Sequence, residues 1–139
     1  HNIMFRILAD RFAEAAAEWL HREIRIRYWG YTPDENLTPE ELFKVKYQGI
    51  RPAPGYPACP DHTGKQVIFD LLKVPETIGV TLTESYAMNP PSSVCGYIFA
   101  SPGSSYFNIG RIDNDQLADY ARRRGMTVAE AAKWLAPNL

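Results

Sequence analysis

Arg51-Pro52-Ala53-Pro54-Gly55-Tyr56-Pro57-Ala58-Cys59-Pro60-Asp61-His62 divides this chain and fixes how the two sides are read. Four prolines in twelve residues exclude a helix interior or a central strand, because proline fixes φ and donates no backbone hydrogen bond. Residues before prolines are pushed toward extended conformations. The stretch therefore reads as a stiff strap whose backbone groups need partners in water, side chains or a ligand. Gly55 lets a ligand or another chain approach the backbone closely. Arg51, Tyr56 and His62 add a cation, an aromatic hydroxyl and a titratable imidazole. A strap already ordered loses little entropy when it clamps something. It reads as a binding site.

On the N-terminal side, residues 2 to about 27 show the period of one long amphipathic helix. Met4, Leu8, Phe12, Ala15, Trp19 and Ile26 share one face, and Asp10, Glu14, Glu18, His21 and Arg25 another. Gly30 and Pro33-Asp34-Glu35-Asn36 break it. Thr38, Pro39 and Glu41 form a capping-box start for a short helix to about Tyr47. Beyond the strap, Lys65 to Lys73 reads as a helix capped by Thr63 or Asp61 and stopped by Pro75. Strand-like runs at 80–83, 94–99 and 106–112, separated by turn-forming sequence, predict an antiparallel meander. Two helices close the chain: Asp115 to Arg124, ended by Gly125, and one from Val128 capped by Thr127. Helices, then strands, then helices argue an α+β fold with a twisted antiparallel sheet flanked by helices.

The 139 residues fit one domain, with 45% hydrophobic and 22% charged residues and a net charge of −1. That balance gives no sign of a nucleic-acid or membrane-surface partner, which would need a basic patch. No apolar run approaches the ~20 residues of a membrane span. The two cysteines, Cys59 and Cys95, suggest a reducing compartment, with the cytoplasm as default. Cys59-x-x-His62 has ligand-like spacing, but zinc wants about four donors. Only Cys95 and His21 remain as obvious donors, so a metal site is rejected. No nucleophile–base arrangement stands out, so no catalytic residue is assigned.

The run Gln48 to Pro57 resembles the signature of the activation domain of cobalamin-dependent methionine synthase. The resemblance continues in order through Leu8-Ala9-Asp10-Arg11, Ala13-Glu14-Ala15, Tyr28-Trp29-Gly30-Tyr31, Leu82-Thr83-Glu84-Ser85, Asp119-Tyr120-Ala121 and Trp134-Leu135-Ala136-Pro137-Asn138-Leu139. It implies a domain that binds S-adenosylmethionine and presents its methyl group to cob(II)alamin, reactivating the methyltransferase that makes methionine from homocysteine. Cobalamin and zinc would lie in other modules. The cobalamin-binding module and a flavodoxin-like electron donor would be partners. His1-Asn2-Ile3-Met4 runs into helical pattern without a capped start. Residues 1–139 are therefore expected to be the C-terminal portion of such a domain, inactive alone. The alternative is a stand-alone S-adenosylmethionine-binding or docking module serving another cobalamin protein.

By the same resemblance Arg51 would pair with the methionyl carboxylate, in the bidentate manner that suits a guanidinium. Ala53, Gly55 and Tyr56 would make backbone and ring contacts. Glu14 would make a water-mediated or more remote contact, and Tyr106 would lie at the ligand. Phe107 stands where relatives often carry a second tyrosine, which removes a hydroxyl contact but leaves ring and backbone contacts. His62 would face the cobalamin module. Asn89, Pro91 and Val45 also depart from the pattern, at the pocket rim.

Overall fold

The computed structural model describes residues 2–139, and His1 lies outside them. Helix α1 (Asn2–Glu23) continues into a π-helical turn, Ile24–Tyr28, so the long N-terminal helix widens at its last turn. Thr38 caps α2 (Pro39–Phe43) with both bonds of the capping box. This helix is shorter than expected, and Val45 just beyond it has a φ of 54°. The strap leads into α3 (Gly64–Leu72). Asp61 organises that start: its Oδ1 accepts from the Thr63 N–H at 2.7 Å and its Oδ2 from the Thr63 hydroxyl at 2.7 Å. Pro75 does not only stop the helix, because it sits in the first turn of α4 (Val74–Ile78), after a left-handed Lys73.

The sheet is smaller than a meander. Strands β1 (Thr81–Leu82) and β2 (Met88–Asn89) pair antiparallel, and the other two strand-like runs are extended without a regular ladder. The reason lies in the strap. Ile50 and Phe99 exchange both backbone bonds at 3.0 Å, and the Tyr97 N–H donates to the Pro52 carbonyl at 2.9 Å. Pro52 and Pro54 have no N–H to return, so pairing stops after one bridge. The fold is α+β, helix-rich with a small antiparallel sheet.

Asp113 caps α5 (Asn114–Arg124) and Gly125 ends it; Thr127 caps α6 (Val128–Leu135). These helices pack through Leu117, Ala121, Ala131 and Leu135, with Ile112, Tyr120, Met126 and Ala132 around them. This is the main apolar cluster among the described residues. Tyr86 meets Trp134 edge-on at 5.2 Å, joining the hairpin loop to α6.

Helix α1 buries the C-terminal end of its polar face and leaves its apolar face open. Met4, Leu8, Phe12 and Trp19, on the apolar face, are more than half exposed. His21 and Arg25, on the polar face, are 1% and 0% exposed. Periodicity identifies two faces but not which one a partner covers. Here the partner is polar: Arg25 Nε and Nη2 each donate to a Glu35 carboxylate oxygen at 2.7 Å, and the guanidinium lies 4.0 Å over the Tyr47 ring. Removing one member of a buried ion pair strands the other charge and costs about 3–5 kcal/mol. Glu35→Ala is therefore expected to lower the unfolding free energy by about that amount in urea titration. A loss like that of an exposed pair, under about 1 kcal/mol, would refute this weight.

Candidate functional site

Arg51 opens the strap, and its side chain turns back onto α1. Glu18 Oε2 lies 2.6 Å from Arg51 Nη2, while Nη1 donates to the Tyr47 hydroxyl at 3.2 Å and faces His21 Nδ1 at 3.3 Å. The backbone N–H of Arg51 donates to the Tyr106 hydroxyl at 2.9 Å. Tyr106 therefore acts on the strap through its hydroxyl, from the segment expected to be a strand. Glu18 and His21 from α1, Tyr47 and Arg51 from residues 47–51, and Tyr106 come from three separate stretches of chain and meet at one end of the strap.

The chemistry of arginine fixes the histidine tautomer. A guanidinium has donors only, so His21 Nδ1 accepts and the ring proton sits on Nε2. That nitrogen faces the Tyr31 hydroxyl at 3.3 Å, and the hydroxyl faces the Gln48 carbonyl. Burial first, then the Arg25 and Arg51 guanidiniums, lower the His21 pKa from 6.5 to about 4. A neutral imidazole thus stands behind Arg51 as a fixed acceptor. The sequence signal for it was present, since His21 lies one turn after Glu18 and one before Arg25, but period alone marks all three only as sharing a polar face.

The other end of the strap is built differently. Asp61 is buried, and its Oδ2 also accepts from the Tyr120 hydroxyl at 2.5 Å; Arg124 donates to the Thr63 hydroxyl at 2.9 Å. These bonds tie the strap to α5. Burial, then the bond to Asp61, raise the Tyr120 pKa. Gly55 has a φ of +100°, and the space a side chain would take is filled by the His62 imidazole. The room left by this glycine on that side is used by the protein itself, not kept for a ligand. His62 Nδ1 lies 2.8 Å from the Nζ of the buried Lys65, and burial followed by that cation lowers the His62 pKa.

Gly55, Tyr56 and His62 line a cavity of about 430 Å³ with Asn108, Arg111 and Trp134. Phe107 lies apart from it, with Ile50, Pro52, Cys59, Tyr97 and Phe99, around a second, apolar cavity of about 260 Å³. Ala53 is half-buried between the two buried prolines. Glu14, one turn before Glu18, is exposed and paired with Arg11 at 2.8 Å. The structure thus brings Arg51 and Tyr106 together at one end, and Gly55, Tyr56 and His62 at the other. Among the described residues no three His, Cys, Asp or Glu side chains gather as metal ligands. No helix of these residues is long and apolar enough to cross a membrane.

A rigid strap, an arginine offered at one end and a walled cavity at the other define a ligand-binding module. Residues 1–125 match the family model described as "Vitamin B12 dependent methionine synthase, activation domain". A crystal structure described as the MetH reactivation domain bound to AdoHcy is similar at 58% identity and a TM-score of 0.95, over 99% of this chain. The chain spans 42% of the length of that solved chain. This protein belongs to the family of vitamin B12-dependent methionine synthase activation domains.

Because His21 is held neutral, its contribution to stability is complete above about pH 6.5. It is lost as the pH falls toward about 4, where the unfolded chain binds a proton that the folded chain resists. The loss is on the order of 3 kcal/mol. Denaturant midpoints measured across that range are expected to fall steeply for the native chain and less steeply for His21→Gln. Parallel profiles would place the acid sensitivity elsewhere.

Proposed function

We propose that this chain binds S-adenosylmethionine along the strap and holds its methyl group toward a cobalamin carried by another module. The reading combines family membership with the similar structure, which holds S-adenosylhomocysteine, the demethylated form of that ligand. The observation that carries it is Arg51. Its guanidinium is fixed from behind by His21 and Tyr47, yet its side chain remains 28% exposed. A guanidinium so placed suits the methionyl carboxylate. Ala53, Gly55, Tyr56, Tyr106 and Phe107 would line the path of the ligand, and Glu14 would contribute from a distance.

The ligand supplies an electrophilic methyl group, and the chain supplies position. Holding two reactants in register replaces an encounter with an intramolecular step. In the whole enzyme this would serve reductive reactivation, with a flavodoxin-like protein giving the electron. The enzyme would be the cobalamin-dependent methyltransferase that forms methionine from homocysteine, with zinc as well as cobalamin in its other modules. His62, at the strap's far end, would face the cobalamin module. Residues 1–139 would act as the C-terminal portion of the domain, without turnover of their own. Support for that comes from the α1 stripe of Met4, Leu8, Phe12 and Trp19, which has no cover among the described residues. Free thiols at Cys59 and Cys95 suit the cytoplasm.

Titration calorimetry tests the reading. The native chain carrying these residues is expected to bind S-adenosylmethionine, and Arg51→Ala to bind about ten- to a hundredfold more weakly, as fits a lost charge-assisted bond. Undiminished affinity in the variant would remove Arg51 from the site.

A further inference from the structure

Arg51 has a counter-ion already in place. Glu18 sits 2.6 Å away on α1, and the two side chains are 28% and 32% exposed. Only one oxygen of the Glu18 carboxylate is engaged. The other, Oε1, is shielded from water and has no hydrogen-bond donor. A carboxylate offers about four lone-pair positions, and a buried acceptor without a donor is costly. The capacity left open calls for a further donor, and a cationic one suits an anion best.

The surroundings narrow what that donor is. His21 is neutral with its acceptor nitrogen turned to Arg51, and Tyr47 accepts from the same guanidinium. Arg25 is committed to Glu35. The local charge is thus one guanidinium and one carboxylate, side by side. Its complement is a carboxylate and a cation carried on adjacent atoms, which describes the zwitterionic end of an α-amino acid. A carboxylate placed on the open edge of Arg51 brings its α-ammonium beside Glu18, 2.6 Å from that guanidinium.

We propose that Glu18 is the ammonium acceptor of this site, and that Arg51 and Glu18 together select ligands ending in a free α-amino acid. The inference rests on the reading of Arg51 as the carboxylate anchor. Glu14, the carboxylate that the family resemblance points to, is one turn away and engaged with Arg11. Glu18 is the one that faces the strap.

The test compares S-adenosylhomocysteine with its analogue lacking the α-amino group, titrated into the native chain and into Glu18→Gln. The native chain is expected to prefer the amino-bearing ligand by about tenfold or more, the worth of one charge-assisted bond. Glu18→Gln is expected to lose that preference by weakening S-adenosylhomocysteine while holding the analogue within about twofold. Equal weakening of both ligands would overturn the proposal, because Glu18 would then serve only to hold Arg51. Tighter binding of both would overturn it too, making Glu18 a competitor for the guanidinium. Should Glu18→Gln not fold, the native chain decides alone: equal affinity for the two ligands refutes the proposal. Failure of the native chain to bind either ligand would overturn the proposed function itself, and this inference with it.

Discussion

The Arg25–Glu35 pair is the contact on which the rest of the strap's surroundings depend. Both side chains are nearly inaccessible, at 0% and 7%, and they meet through two 2.7 Å bonds. The same guanidinium lies over Tyr47, and Tyr47 meets His21 edge-on at 5.1 Å. Glu35 therefore fixes Arg25, Arg25 fixes Tyr47, and Tyr47 with His21 fixes Arg51. The geometry is bidentate, which gives direction as well as energy. A buried pair is weak evidence for net stability, since hydrophobic replacements often do as well. Its value here is placement, because an apolar contact would not orient Arg51.

Proline then shapes what the pair has placed. The strap lies against residues 97–99 but shares only the Ile50–Phe99 exchange and the Tyr97-to-Pro52 bond. A strand with N–H groups at 52 and 54 would have extended the ladder and joined the sheet. Denied that, the strap stays a separate, inflexible segment with Pro52 and Pro54 packed inward and Tyr56 and Pro57 outward. Its far end is held by Asp61, which gathers Thr63, Tyr120 and the nearby Arg124. The apolar cluster of α5 and α6 thereby reaches the strap through Tyr120.

Two arginines with similar neighbours do different work. Arg25 is sealed and bidentate, whereas Arg51 keeps part of its surface open. The difference follows from position: Arg25 lies where α1 widens into its π-helical turn and is enclosed by the 31–47 segment, while Arg51 leaves the fold at the start of the strap. The Arg51 guanidinium, held by neutral His21 and Tyr47 on one nitrogen and by the Glu18 carboxylate on the other, still keeps an open edge toward whatever the strap binds.

The sequence by itself determined the local events. Thr38, Asp113 and Thr127 cap their helices, Gly125 ends α5, and Pro52, Pro54, Pro57 and Pro60 make the strap, because caps and prolines act over three or four residues of contiguous chain. The ordered blocks around the strap made the family legible. The α+β class followed from the order of elements, although the 94–99 and 106–112 runs did not become strands. Whether an extended run joins a sheet depends on a partner that can return its hydrogen bonds, and here the neighbour is a strap of prolines. Tertiary structure alone decided which face of α1 is covered. Charge and period mark Glu18, His21 and Arg25 as polar, but only Glu35, Tyr47 and Arg51, arriving from 10 to 30 residues away, turn that face inward and give His21 and Glu18 their place in the site.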